Sequence, residues 1–219
     1  MLPGFLYSVL RWVWKRNWTG LAGLLWLVGF ISLYAIRLPV IYQHGRYMIP
    51  VMGVWVLWGL AGTAELTAGR EPGKLGWILS RAWWAIIAIL GVFFWWQGGT
   101  AYSTDVAIIN EEMVAVSSWL VENTEVDDLI AAHDIGAIGY CSQREIVDLA
   151  GLISPDVIPF IRDEARLEAY LDERQPDYLV TFPSWYPAMV AGREMIFQTD
   201  AVVTRSFGRD NMAVYVWDE

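Results

Sequence analysis

Residues 77–96 read "WILSRAWWAIIAILGVFFWW", and residues 97–116, directly after them, read "QGGTAYSTDVAIINEEMVAV". The first stretch carries one charge, Arg81, near its start. Its length matches what a helix rising about 1.5 Å per residue needs to cross about 30 Å of hydrocarbon. In the second stretch and just past it, Val106, Ile109, Met113, Val116 and Leu120 recur at three- and four-residue steps. Asp105, Glu111, Glu112 and Glu122 are among the polar positions between them. That spacing predicts an amphipathic helix leading out of the membrane. The join between the two stretches decides the fold: a membrane segment over 1–100 hands the chain to a water-facing domain over 101–219.

Toward the N-terminus two further apolar runs of spanning length occupy 18–36 and 48–66, so three transmembrane helices are expected, the third over 77–96. Trp12, Trp14, Trp18, Tyr42, Tyr47, Trp77, Trp83, Trp84, Trp95 and Trp96 crowd the ends of the runs, as interfacial aromatic belts do. The run Phe5–Leu10 is too short for a secretory signal and precedes the basic cluster, so it reads as an interfacial segment or the tail of an earlier span. Hydrophobic residues make up 56% of the chain, above the ~45–50% of soluble domains.

Charge divides the chain the same way. Residues 1–100 hold eight basic residues against two acids, whereas 101–219 hold seven Arg, no Lys and 22 acids. A pI near 4.7 therefore describes neither half, and the acidic half has nothing to offer nucleic acid. Arg11, Lys15 and Arg16 precede the first span, and Arg70, Lys74 and Arg81 lie between the second and third; the other side has Arg37 and Arg46 in the first loop and no basic residue after the third span until Arg144. The positive-inside rule places the N-terminus and the Ala64–Ser80 loop in the cytoplasm. The Arg37–Tyr47 loop and the acidic half then lie outside, and the protein sits multi-pass in the cell membrane.

The acidic half reads as a small α/β domain. Strand-like runs fall at Leu129–Ala132, Glu145–Leu149 and Tyr178–Phe182, with a helical stretch over Arg162–Glu173 closed by Pro176. Ala201–Phe207 and Met212–Trp217 flank Gly208-Arg209-Asp210-Asn211 and predict a hairpin. Alternation of helix and strand followed by a hairpin suggests one small sheet.

Several motifs carry chemistry. Gln43-His44-Gly45-Arg46-Tyr47-Met48-Ile49-Pro50 stands where the chain re-enters the membrane. Arg46 is suited to paired hydrogen bonds with a phosphate, and His44 and Tyr47 are further donors; equally, Arg46 snorkels and Tyr47 anchors a helix end. Gly136 and Gly139, after a strand, read as a tight strand-to-helix turn, since no complete dinucleotide fingerprint or phosphate-binding Lys accompanies them. Asp148 reads as a capping or turn residue rather than a ligand or base. Ser184 lacks a nucleophile-elbow context, and His44 and His133 are too isolated for a metal site. The remaining acids read as a solvated surface, and Cys141, the lone cysteine, as a small core residue. No cofactor, metal or catalytic residue is identified.

The order "QHGRYMIP", two spans, then "AAHDIGAIGYCSQREIVDLAGLISPDV" and "QPDYLVTF" resembles the C-terminal end of bacterial GT-C glycosyltransferases. These are the multi-span enzymes related to protein mannosyltransferases and aminoarabinose transferases. The resemblance runs from about Gln43 to Tyr186. It implies transfer of a sugar from a polyprenyl-phosphate donor to an acceptor on the outer face, with membrane lipid and the lipid-linked sugar as partners. It also implies that His44, Arg46 and Tyr47 lie near the lipid phosphate. Such enzymes have eight or more spans and a catalytic acid in the first outer loop, whereas Arg37–Tyr47 contains no acid. The chain therefore corresponds to the C-terminal portion, a truncated, split or degenerate form, with the missing N-terminal membrane part as a possible separate chain. The alternative is a non-enzymatic anchor displaying an α/β module for binding or assembly.

Overall fold

A computed structural model describes residues 1–37, 43–68 and 74–217. Arg70, and residues 38–42 of the expected outer loop, lie outside the described residues. The chain divides into two compact units, Met1–Phe94 and Trp95–Glu219. Among the described residues three helices are long and apolar enough to cross a membrane: Trp18–Arg37, His44–Ala68 and Lys74–Asn123.

The first unit is helical: α1 (Leu2–Trp14), α2 (Trp18–Arg37), a short turn of 3₁₀ type (Gln43–Met48), α3 (Ile49–Ala68) and the first part of α4 (Lys74–Ile108). The N-terminal stretch is thus a helix of its own, packed on α3. A Cβ at Gly62 would strike the Gly4 carbonyl, and one at Gly4 the Gly59 carbonyl. Small residues let apolar helices approach closely where lipid offers no hydrophobic drive for association. Phe5 is buried against the Trp55 ring at 4.4 Å, Ser8 donates to the Trp58 carbonyl at 3.3 Å, and Arg11 pairs with Glu65.

The second unit begins on a helix. α4 continues unbroken through Gly98 and Gly99 to Ile108, passes through a π-helical segment (Ile109–Val114), and runs on as α5 (Ala115–Asn123). Arg144 closes its C-terminal end: the guanidinium donates to the Thr124 carbonyl at 2.9 Å and the Thr124 hydroxyl at 3.1 Å. A cation at helix-terminal carbonyls is the favourable arrangement.

Five strands follow: β1 (Leu129–Ala132), β2 (Glu145–Asp148), β3 (Tyr178–Thr181), β4 (Met195–Gln198) and β5 (Ala213–Val216). They form one mixed sheet in the order β2-β1-β3-β5-β4. β1 is parallel to both β2 and β3, while β5 runs antiparallel to β3 and β4. Alternate side chains serve two cores. Ile130, Ala132, Val180 and Val214 pack with Val116 and Leu120 of α5 and Ile138 of α6 (Ile135–Ser142). Ala131, Leu179, Ala213 and Tyr215 pack with Leu167 and Leu171 of α7 (Glu164–Arg174) on the other face. The β1–α6–β2 connection leaves β1 to one side, and β2–α7–β3 returns the chain to its other side.

Three local expectations meet the structure differently. The helix expected over 162–173 starts later because Asp163 is its N-cap, accepting from the Arg166 amide at 3.2 Å, and Gln175 ends it in the left-handed conformation at φ 49°. Residues 201–207 are no strand: Val202–Ser206 form the short helix α8, and the hairpin pairs β4 with β5 instead. Its cause is a clamp. Glu112, fully buried, accepts from the Thr199 hydroxyl, from Asn211 Nδ2 at 2.9 Å and from the Met212 amide at 2.9 Å. Asn211 also donates to the Ala201 carbonyl at 3.1 Å, so residues 200–210 close on themselves beyond the paired Gln198 and Ala213. Tertiary hydrogen bonding thus overrides the β-propensity of Val202 and Val203. Cys141, finally, is exposed rather than in the core.

Glu112→Ala leaves two buried donors, those of Asn211 and the Met212 amide, without their acceptor. At about 1–3 kcal/mol each for buried unmade bonds, it should lower the stability of the protein by roughly 3 kcal/mol in a denaturant titration, with Glu112→Gln less harmful. A loss within error of zero would show the clamp to be dispensable.

Candidate functional site

In open α/β sheets, ligands collect outside the carboxyl ends of parallel strands where successive connections diverge. Here that point lies between β1 and β3. β1 is followed at once by His133 and Asp134, and β3 by Phe182, a 3₁₀ turn (Pro183–Trp185) and Tyr186. His133 Nδ1 lies 2.6 Å from the Tyr186 hydroxyl. The His133 ring meets Trp185 edge-on at 4.9 Å and 75°, and Trp185 lies 4.9 Å from Phe182. An open crevice of about 440 Å³ is lined by Asp134, Phe182, Ser184 and Trp185, by Ile108 and Met113 of the entering helix, and by Thr204, Arg209 and Asp210. The last three belong to the loop that Glu112 clamps.

Burial sets the protonation of this corner. It lowers the pKa of His133, against the opposing pull of Asp134 and Asp148, and raises that of Asp134, against His133. It pushes Tyr186 up to about 12, helped by the negative charges of Asp134, Asp148 and Glu164. At neutral pH His133 and Tyr186 therefore form a neutral imidazole–phenol pair. Such a pair fixes the position of Trp185 more readily than it supplies a strong base.

Asp148 has the turn role expected of it. Its carboxyl oxygens accept from the Ala150 and Ile153 amides, both at 2.7 Å, and no part of it is exposed. Gly151 inside that turn has φ +76°, and a Cβ there would press on Ile158. Gly136 and Gly139 both lie in α6, directly after β1, and Gly139 lets the helix pack on Ile146 of β2. Ser184 lies on the crevice wall, with no hydrogen bond to His133 among the described contacts.

The interfacial motif of the first unit forms a second candidate place. His44 and Gly45 both have positive φ, 55° and 73°, which turns the chain sharply into α3. Immediately after, Arg46 Nη2 donates to the Tyr47 hydroxyl at 3.1 Å, with the guanidinium 5.0 Å from the Tyr47 ring centroid. Tyr47 stacks on Tyr34 of α2 at 5.5 Å. One short turn therefore carries His44, Arg46 and Tyr47 at the N-terminal end of α3, where helix amides and dipole favour an anion. Among the described residues no three His, Cys, Asp or Glu side chains are arranged to hold a metal ion.

Sequence reading missed the crevice and its clamp. Glu112 lies four residues before Val116 and eight before Leu120, on the apolar stripe rather than opposite it, and that spacing was the available signal. His133 and Tyr186 are 53 residues apart, and nothing local joins them. Residues 101–215 match a family described as a domain of unknown function, DUF8728. No curated protein matches the chain.

The neutral state of His133 has a consequence for stability. Its folded pKa lies below the 6.5 of a free imidazole, so the unfolded chain binds more protons as pH falls through and below that value. Lowering pH from 7 toward 5.5 should depress Tm, and His133→Gln should flatten that slope. Parallel slopes for the two proteins would remove His133 as the cause.

Proposed function

The chain belongs to the DUF8728 family, and we propose that it works as the C-terminal portion of a GT-C-type glycosyltransferase. In the reaction an acceptor hydroxyl attacks the anomeric carbon of a sugar carried on polyprenyl phosphate. The new glycosidic C–O bond forms as the bond to the phosphate oxygen breaks. The lipid phosphate leaves as an anion, and the hydroxyl proton passes to a general base. Arg46 holds the phosphate by paired hydrogen bonds, His44 and Tyr47 add donors, and the base comes from a separate membrane segment. The supporting observation is the Arg46 guanidinium, braced by Tyr47 at the start of a helix of membrane-spanning length. Charge-assisted bonds to phosphate are the strong ones, and the bracing fixes the guanidinium in advance.

In this reading the protein is multi-pass in the cell membrane, with the N-terminus cytoplasmic and the α/β domain outside. Its partners are membrane lipid, the lipid-linked sugar and the complementary membrane part. A non-enzymatic anchor displaying a binding domain is the second reading, favoured by the self-contained crevice at β1 and β3.

Polyprenyl phosphate retained by the full chain in nanodiscs, read by native mass spectrometry, distinguishes these. Arg46→Ala should weaken retention by about tenfold or more, the worth of a charge-assisted bond of about 1.5–3 kcal/mol, and Tyr47→Phe should weaken it less. Equal retention by wild type and Arg46→Ala would remove the phosphate role. Sidedness has its own reporter in Cys141, exposed on α6. A membrane-impermeant maleimide should label the wild-type protein in intact cells and leave Cys141→Ser unlabelled; labelling only after lysis would reverse the orientation.

A further inference from the structure

The crevice at β1 and β3 has a composition that selects a ligand. Phe182 and Trp185 supply apolar aromatic surface, and Trp185 is 45% exposed although so large an aromatic is costly to leave in water. The carboxyl groups of Asp134 and Asp210 stand against one guanidinium, Arg209, in a domain rich in acids. That balance repels a phosphate or carboxylate ligand. A further observation is independent of these. Thr204 lines the crevice and is 1% exposed, yet its hydroxyl has no hydrogen-bond partner among the described residues. Buried hydroxyls are ordinarily paired, so an unpaired one on a residue of the crevice wall, closed to water as it stands, is a group that a side-chain rotation could offer to a bound molecule.

The ligand must therefore be uncharged, flat on one side and apolar there, and edged with groups that both donate and accept. Donation would go to Asp134 and Asp210, and acceptance would be from Arg209 and Ser184, with Thr204 taking either role. The crevice volume of about 440 Å³ falls within the ~300–1,000 Å³ typical of small-molecule sites. We propose that this crevice binds a neutral pyranose ring, stacked on Trp185 with its hydroxyl edge toward Asp134, Asp210 and Thr204. The His133–Tyr186 pair acts as a positioning element, holding Trp185 through its edge contact with the imidazole. The proposal stands on the α/β domain alone and does not rest on the lipid-phosphate reading.

The test uses the full chain in lipid nanodiscs, because detergents with glucoside or maltoside headgroups would themselves offer the ligand. The probes are the methyl glycosides of glucose, galactose and mannose, with glucuronic acid as the charged control. Binding is read as saturation transfer from protein to sugar ring protons by NMR, against empty nanodiscs. At least one neutral glycoside should receive saturation and glucuronic acid should not. Trp185→Ala should weaken binding about tenfold. Thr204→Val should weaken it while Tm stays equal or rises, because an unpaired buried hydroxyl is replaced by an isosteric methyl. Absence of transfer to all three glycosides would overturn the proposal, as would transfer to glucuronic acid of equal strength. Undiminished transfer in Thr204→Val would overturn it even if Trp185→Ala failed to fold.

Discussion

The carboxyl group of Glu112 is the constraint on which the α/β domain depends. It is withdrawn from water inside a helix continuous with α4, and its oxygens take up donors from Thr199, Asn211 and the Met212 amide. Removing so polar a group from water is unfavourable unless its hydrogen bonds are replaced. The replacement donors come from the two ends of one loop, so satisfying Glu112 and shaping residues 200–210 are a single event. One wall of the crevice is thereby set by a residue that does not line it. Met113, the next residue, does line it.

The rest of the domain works outward from the same edge of the sheet. β5 begins beside the end of β3, with Ala213 opposite Thr181, which brings the clamp to the carboxyl ends of the parallel strands. Two helical layers then cover the sheet, α5 and α6 on one face and α7 on the other. The helical unit is organised by different physics. Its buried contacts are few, and it joins α1 to α3 through glycines, hydroxyls and the Arg11–Glu65 pair. Such contacts suit helices long and apolar enough to cross a membrane, since they hold even in a solvent as apolar as the side chains themselves. The charge division of the sequence follows the same partition, basic residues in the first part and acids in the second.

Period and composition made the large features legible. The apolar run at 18–36 became α2 almost residue for residue, and the run at 48–66 became α3, because twenty apolar residues leave the backbone few choices other than a helix. The three strand runs, bounded by turn residues, appeared within a residue of their expected ends. The change of pattern past Gly98-Gly99 is one of side-chain periodicity alone, and the helix passes through both glycines. The run at 201–207 failed because its valines compete with hydrogen bonds made 87 to 100 residues away in sequence. Cys141 failed because one small residue on an eight-residue helix carries no directional signal. Of the candidate site residues, His44, Arg46 and Tyr47 were visible as a contiguous motif. Trp185, Tyr186, Thr204 and Asp210 were not, since only the sheet topology gathers them.

The π-helical turn at Ile109–Val114 gives this region a tolerance of chain length that the α-helical turns on either side lack. Such a turn holds one residue more than the α-helical turn it interrupts. Loss of one residue there can be absorbed by return to a plain helix, which keeps Val116 and Leu120 on the face they now present. A single-codon gap in the α-helical turns has no such reserve and spins everything beyond it by about 100°.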